Sequence, residues 1–169
     1  MKKNLVLLGM MGVGKSTLGK IVAKRQNLKF IDTDLNIEKK NSMRISEIFK
    51  KKGENFFRIE EEIEILETLK KNKCVIAIGG GAFMNKKIRN IILENSFSIW
   101  LDMNLKTLSK RVKWNNKRPL LNKENPKEII KKLFTKRKDF YKLADYKINC
   151  NGLTKKDIIN KIISVYEKH

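Results

Sequence analysis

The stretch Asn4-Leu5-Val6-Leu7-Leu8-Gly9-Met10-Met11-Gly12-Val13-Gly14-Lys15-Ser16 decides how this chain is read. A short apolar run of strand length ends at a glycine, and Gly9 to Ser16 then match G-x-x-x-x-G-K-[ST] just before a segment of helical composition. Strand, glycine-rich loop and helix in that order form a cradle for an anion, because successive backbone N–H groups turn inward and the helix N-terminus adds its dipole. In such a cradle Gly12, Val13 and Gly14 supply backbone, Lys15 neutralises the β- and γ-phosphates, Ser16 ligates Mg²⁺ through its hydroxyl, and Thr17 reaches the α-phosphate. A chance match of the four specified residue types is roughly a one-in-a-hundred event at average usage. Binding of a nucleoside triphosphate such as ATP is the expectation.

Outward from that loop, apolar runs alternate with stretches of helical period, the pattern of repeated βα units around a mostly parallel sheet. It predicts strands at 4–8, 28–31, 74–78, 97–101 and 146–150, and helices at 15–24, 35–40, 86–93, 105–112 and 126–143, with a last helix opening at Thr154. Between them it predicts a short turn capped by Ser46 and ended by Gly53. A helix then follows in which Ile59, Ile63, Leu66 and Leu69 form the dry face, with Glu60, Glu61, Glu62 and Glu64 on or beside the wet one. Residues 113–125 keep no period and contain Trp114 and Pro119, so they read as a lid loop. No repeat or linker interrupts the chain, and its 169 residues are expected to form one α/β domain.

The composition excludes several classes. A formal net charge of +21 raises the question of a polyanionic partner. The basic residues are scattered along the chain, however, with 32 Lys against seven Arg and no aromatic platform for bases, so no nucleic-acid partner is expected. The lone histidine, His169, is the last residue, which excludes histidine acid–base and triad chemistry. Cys74 and Cys150 lie far apart in apolar segments and read as buried thiols, not as a disulfide or metal knuckle. The apolar run 5–8 is too short for a signal peptide or a membrane span, and a cytoplasmic protein with no membrane partner is expected.

In an open parallel sheet, ligands sit beyond the carboxyl ends of the strands. That rule brings the glycine-lysine loop, Asp32 with Asp34, and the run Gly79-Gly80-Gly81 to one crevice. The two aspartates are open to metal and to substrate roles, and Asp34 alternatively caps the following helix. The three glycines read either as a tight turn or as a close approach for a ligand. Arg58 has an ordinary reading, pairing with Glu61 or Glu62 at helical spacing. Yet a lysine-rich chain that puts Arg at 58, 111, 118 and 137 uses the planar, bidentate cation where that geometry matters.

Taken in order, Gly9 to Ser16, Asp32-x-Asp34, Phe57-Arg58, Gly79-Gly80-Gly81, Arg118-Pro119-Leu120-Leu121 and Arg137 with Tyr141 resemble the shikimate kinase family over nearly the whole chain. The resemblance implies a nucleoside-monophosphate-kinase-like fold with a five-stranded parallel sheet in the order 2-3-1-4-5, a substrate-binding helical segment at about 32–61, and a lid. It further implies that Asp34, Arg58, Arg137 and the backbone of Gly79, Gly80 and Gly81 hold shikimate, the arginines on its carboxylate, with Phe57 lining the pocket. Arg118 would close over the phosphates, Arg111 would stack on adenine, and Mg²⁺ would depend on Ser16 and, through water, on Asp32. A monomer is the family's usual state. Residues 148–152, Ile-Asn-Cys-Asn-Gly, lack the Asp and Pro often found in the family's adenine loop.

Overall fold

Asn4–Leu8 (β1) is buried at every position because it lies at the centre of the sheet, with a parallel strand on each edge and helices on both faces. The computed structural model of the chain describes residues 3–112 and 125–169. The elements that follow β1 are α1 (Lys15–Arg25), β2 (Lys29–Asp32), α2 (Thr33–Asn41), α3 (Ile45–Leu69) and β3 (Cys74–Ala77). After a 3-10 turn at Ala82–Met84 come α4 (Lys86–Asn95), β4 (Ser96–Asp102), α5 (Leu105–Arg111), α6 (Pro126–Tyr141), β5 (Tyr146–Asn149) and α7 (Lys155–Glu167). The five strands run parallel in the order β2-β3-β1-β4-β5, as expected. The expected lid, apart from Asn125, and Arg118 with it lie outside the described residues.

Register follows from burial. Leu5, Val6 and Leu7 pair with Val75, Ile76 and Ala77 on one side and with Phe97, Ser98 and Ile99 on the other, so apolar runs are continuous instead of alternating. The helices cover the two faces through Leu18 and Val22 of α1, Ile88 and Ile92 of α4, and Ile158, Ile159 and Ile162 of α7. Helix ends carry the chemistry their sequences announce: Asn85, Asn104, Asn125 and Thr154 each accept from backbone N–H groups of the first turn. Cys74 and Cys150 are free and buried. Among the described residues no helix is long and apolar enough to cross a membrane.

Two local expectations are corrected. Ser46 does not cap a helix: α3 starts at Ile45, and its first turn is closed by Glu47, whose carboxylate accepts from the Arg44 N–H at 2.9 Å. Gly53 ends the first helical piece as expected: at φ 84° and ψ 167°, a conformation that a side chain would resist, it breaks α3 into two pieces joined at a kink. Beyond the kink Ile59 and Ile63 of the expected dry face are exposed, Leu66 is half-buried, and Leu69 packs against the core as expected. Ile59 is 60% exposed, whereas Phe57, Glu61, Ile65 and Thr68 form the buried stripe. Apolar residues occur on both sides of this helix, so hydrophobicity alone did not choose between them. The buried side includes Glu61, which is paired there with Arg58.

A buried amide joins β1 to β3 before the site is reached. The Asn4 side chain donates to the Lys71 carbonyl at 2.5 Å and accepts from the Cys74 N–H at 3.0 Å. Asn4→Ala leaves both groups unmatched in the interior and is expected to cost about 1–3 kcal/mol. Urea unfolding checks this as a lower midpoint at unchanged m-value; an unmoved midpoint would contradict it.

Candidate active site

The glycine-lysine loop leaves the carboxyl end of β1 and enters α1 through Gly14, which occupies the N-cap position with φ 106° and brings no capping side chain. The first N–H groups of α1 are thus left for a ligand. Gly9, at φ 138°, is also fixed by space, since a Cβ there would stand 2.6 Å from the Leu101 carbonyl oxygen. Lys15 arcs back along the loop and donates to the carbonyls of Gly9 at 2.8 Å and Met10 at 3.2 Å. Val13 turns its side chain into the core, so only its backbone is available to phosphate, while Thr17 lines the cleft.

At the end of β2, Asp32 does two things. Its Oδ2 accepts from the Ser16 hydroxyl at 2.5 Å, and its Oδ1 caps α2 by accepting from Leu35 N–H at 3.3 Å. The capping role that sequence offered to Asp34 is therefore filled by Asp32. Asp34 sits in the first helical turn and points into the cleft, with Oδ1 enclosed and unpartnered. Its carboxyl is pushed up to about 7, first by burial, then by Glu61 and Asp32, against the opposing pull of Lys15.

Arg58 projects from α3 over the Phe57 ring, 5.3 Å from its centroid. The ordinary sequence reading of this residue holds, because it pairs within its helix, and it also lines the cleft. Nη1 donates to Glu61 at 2.8 Å and Nη2 to Glu54 at 3.0 Å. Glu62 turns away and pairs with Lys87. Arg137, on α6, is 5% exposed and stands close enough to Glu61 to favour its charged form, although burial still drives the Glu61 carboxyl upward on balance. Glu61 Oε1, like Asp34 Oδ1, is enclosed and unpartnered.

The three glycines after β3 are explained by space. A Cβ on Gly79 would meet Glu61 Oε1 at 2.5 Å and Asp34 Oδ1 at 2.9 Å; on Gly80, Arg137 Nη1 at 3.0 Å; on Gly81, Arg58 Nη1 at 2.8 Å. None of the three has a positive φ. The turn reading holds, since the Ala82 N–H donates to the Gly79 carbonyl at 3.1 Å, and close approach holds beside it: each glycine leaves room for a charged group of the site.

These elements enclose one cleft of about 570 Å³, lined among others by Lys15, Ser16, Arg111, Asp34, Phe57, Arg58, Gly79 to Gly81 and Arg137. All the expected site residues among those described come together there except Val13, whose backbone alone contributes. Phe49 and Glu61 are members that sequence reasoning missed. Phe49 packs on Phe57 with centroids 4.9 Å apart and lies on the turn of α3 before the kink. Glu61 was assigned to solvent by its charge, and the available clue was its spacing four residues after Phe57. Among the described residues no cluster of three or more His, Cys, Asp or Glu could hold a metal by itself. The hard-oxygen pair Ser16 and Asp32 beside the phosphate loop fits a magnesium ion that keeps most of its ligands as phosphate and water.

A phosphate loop at the switch point of a 2-3-1-4-5 sheet, facing an enclosed carboxylate and two arginines across a single cleft, defines a P-loop kinase of the nucleoside-monophosphate-kinase-like class. Comparison with known proteins narrows the class. The family model for shikimate kinase matches residues 11–167. The chain is 44% identical over 167 residues to the shikimate kinase of Thermodesulfovibrio yellowstonii, covering 98% of this chain and 96% of that one. It is 41% identical over 162 residues to that of Sulfurihydrogenibium sp., covering 96% of each. Its structure superposes on shikimate kinase from Acinetobacter baumannii in complex with shikimate with a TM-score of 0.95 at 31% identity, over 99% of this chain and 94% of that one. The chain belongs to the shikimate kinase family.

The Asp34 environment has a thermodynamic signature. Its carboxyl binds a proton more tightly folded, at about 7, than at its ordinary 3.8. The stability this gives is full below about pH 4 and is lost as the pH rises through about 7. Asp34→Asn cannot ionise, so it is expected to melt a few degrees above the parent at pH 8, with the gain fading toward pH 4. Differential scanning calorimetry at the two pH values checks this; a pH-independent difference would contradict it.

Proposed function

We propose that the chain transfers the γ-phosphoryl group of ATP to the 3-hydroxyl of shikimate, giving shikimate 3-phosphate and ADP. The observation that carries this reading is the single cleft in which the Lys15 loop faces Asp34, Arg58 and Arg137. The backbone from Gly12 to Thr17 cradles the phosphates and Lys15 neutralises the β- and γ-groups. Arg58 and Arg137 take the substrate carboxylate, which a planar guanidinium recognises in bidentate fashion. Phe57 and Phe49 wall the apolar side of the ring, and the backbone of Gly79, Gly80 and Gly81 approaches it where no side chain intervenes.

In the transfer, the 3-hydroxyl oxygen attacks the γ-phosphorus in line while the bond to the β–γ bridging oxygen breaks. Asp34 orients the hydroxyl and accepts its proton, a task to which a carboxyl pushed up to about 7 is matched. Positioning and charge stabilisation supply most of the rate, since a loose phosphoryl-transfer transition state asks little covalent chemistry of the protein. Ser16 and Asp32 would hold Mg²⁺, which spreads the phosphate charge when bound. Arg118 serves the transferred group on closure of a lid at about 113–125, and Arg111 stacks on adenine. The chain acts as a single domain over residues 1–169, with its substrate segment at about 32–61, as a cytoplasmic monomer without nucleic-acid or membrane partner.

The test is ADP release measured by coupled assay with shikimate, gluconate and nucleoside monophosphates in turn. Shikimate alone is expected to give turnover; a preference for either rival acceptor would overturn the assignment. Asp34→Asn should lower kcat by about 10²–10⁴-fold with the KM for ATP little changed. Arg58→Ala should raise the KM for shikimate by about 10–100-fold, the worth of a charge-assisted hydrogen bond. Small and equal effects on both substrates would refute these roles.

A further inference from the structure

Tyr141, the last residue of α6, has no solvent exposure. Its hydroxyl donates to the carbonyl of Gly80 at 2.5 Å, and the Arg137 guanidinium hydrogen-bonds the phenol oxygen of Tyr141. The ring packs on Trp100 of β4 with centroids 5.9 Å apart, and the hydroxyl lies 3.9 Å from the Met10 sulfur in the phosphate loop. Around the Gly80 Cα stand Arg137 Nη1, the Gly9 carbonyl and the Tyr141 hydroxyl, all close enough to touch an added methyl group.

The Gly80–Gly81 linkage is the most easily reoriented kind of peptide, because neither residue carries a Cβ to restrict the dihedrals on its side. Rotation of that plane by half a turn would exchange a carbonyl for an N–H at the cleft wall. An anionic, hydroxyl-rich substrate is attracted by the N–H and repelled by the carbonyl oxygen. The peptide is planar and trans, so the Gly80 C=O and the Gly81 N–H point in opposite directions. A hydroxyl that captures the carbonyl on the buried side therefore fixes the N–H toward the cleft. Burial pushes the phenol up to about 12, so it keeps the proton it donates at any working pH.

We propose that Tyr141 is a positioning residue for the phosphoryl transfer: its hydroxyl latches the Gly80 carbonyl, turns the Gly81 N–H toward the acid substrate, and steadies Arg137 from the opposite side. The latch rests on the substrate placement proposed above and reaches the substrate only through Gly80, Gly81 and Arg137.

Tyr141→Phe keeps the buried ring and removes only the hydroxyl. The KM for shikimate is expected to rise about tenfold, the worth of one hydrogen bond, while the KM for ATP and the acceptor-independent ATP hydrolysis stay within about twofold. A variant with lowered melting temperature but unchanged KM for shikimate would overturn the latch and leave a structural role. A second measurement needs no variant: in the wild-type chain labelled with ¹⁵N-glycine, the Gly81 amide resonance should move on addition of shikimate. A Gly81 resonance unmoved at saturating shikimate would overturn the proposal. If Arg58→Ala also leaves the KM for shikimate unchanged, the substrate placement fails; if Arg58→Ala raises it and Tyr141→Phe does not, only the latch fails.

Discussion

Four charged side chains converge on three residues that have none, and the site depends on that exclusion. Asp34 and Glu61 approach the Gly79 Cα, Arg137 approaches Gly80, and Arg58 approaches Gly81, each at a distance that a methyl group would deny. The segment can lie so near because it emerges from β3, a strand buried at every position beside β1. It is then held by the turn at Ala82–Met84, whose carbonyls at Phe83 and Met84 accept from Arg89 at 3.0 and 3.1 Å. Arg89 in turn stacks on Phe140 of α6, the helix that carries Arg137. The backbone at the centre of the cleft is thus fixed by the core on one side and by a cationic bracket on the other.

The charges are tolerable because they alternate in space. Glu54, Arg58 and Glu61 are linked in sequence, and Arg137 stands beyond Glu61. A buried carboxylate beside two guanidinium groups is far less costly than one alone. Asp34 is the member without such a partner, and its raised affinity for a proton is the direct result. Among the described residues that line the cleft, the cations are Lys15, Arg58, Arg111 and Arg137.

Much of this was legible in the residues. The βα alternation and the caps at Asn125 and Thr154 rest on strong local signals that tertiary packing reinforces, whereas the strand order came from the family resemblance. The α3 helix was read less well, for a physical reason. Hydropathy treats glutamate as solvated, and so it put Glu61 on or beside the wet face, whereas Glu61 lies in the buried stripe with Phe57, Ile65 and Thr68. Glu61 is buried by its pairing with Arg58 and its nearness to Arg137, a contact some 76 positions distant in sequence that no periodicity can reveal. Likewise the glycine run left turn and close approach undecided, because the deciding atoms belong to α2, α3 and α6.

The kink at Gly53 gives α3 two axes instead of one. Ile45 and Phe49 reach the cleft from the arm before it, and Phe57, Arg58 and Glu61 from the arm after it. Nothing stands within 4 Å of the place where a Cβ on Gly53 would lie, so the bend is fixed by the dihedrals of that glycine and not by crowding. The two arms therefore meet as a fixed elbow, and where Ile45 and Phe49 stand relative to Phe57, Arg58 and Glu61 is written into one pair of torsion angles.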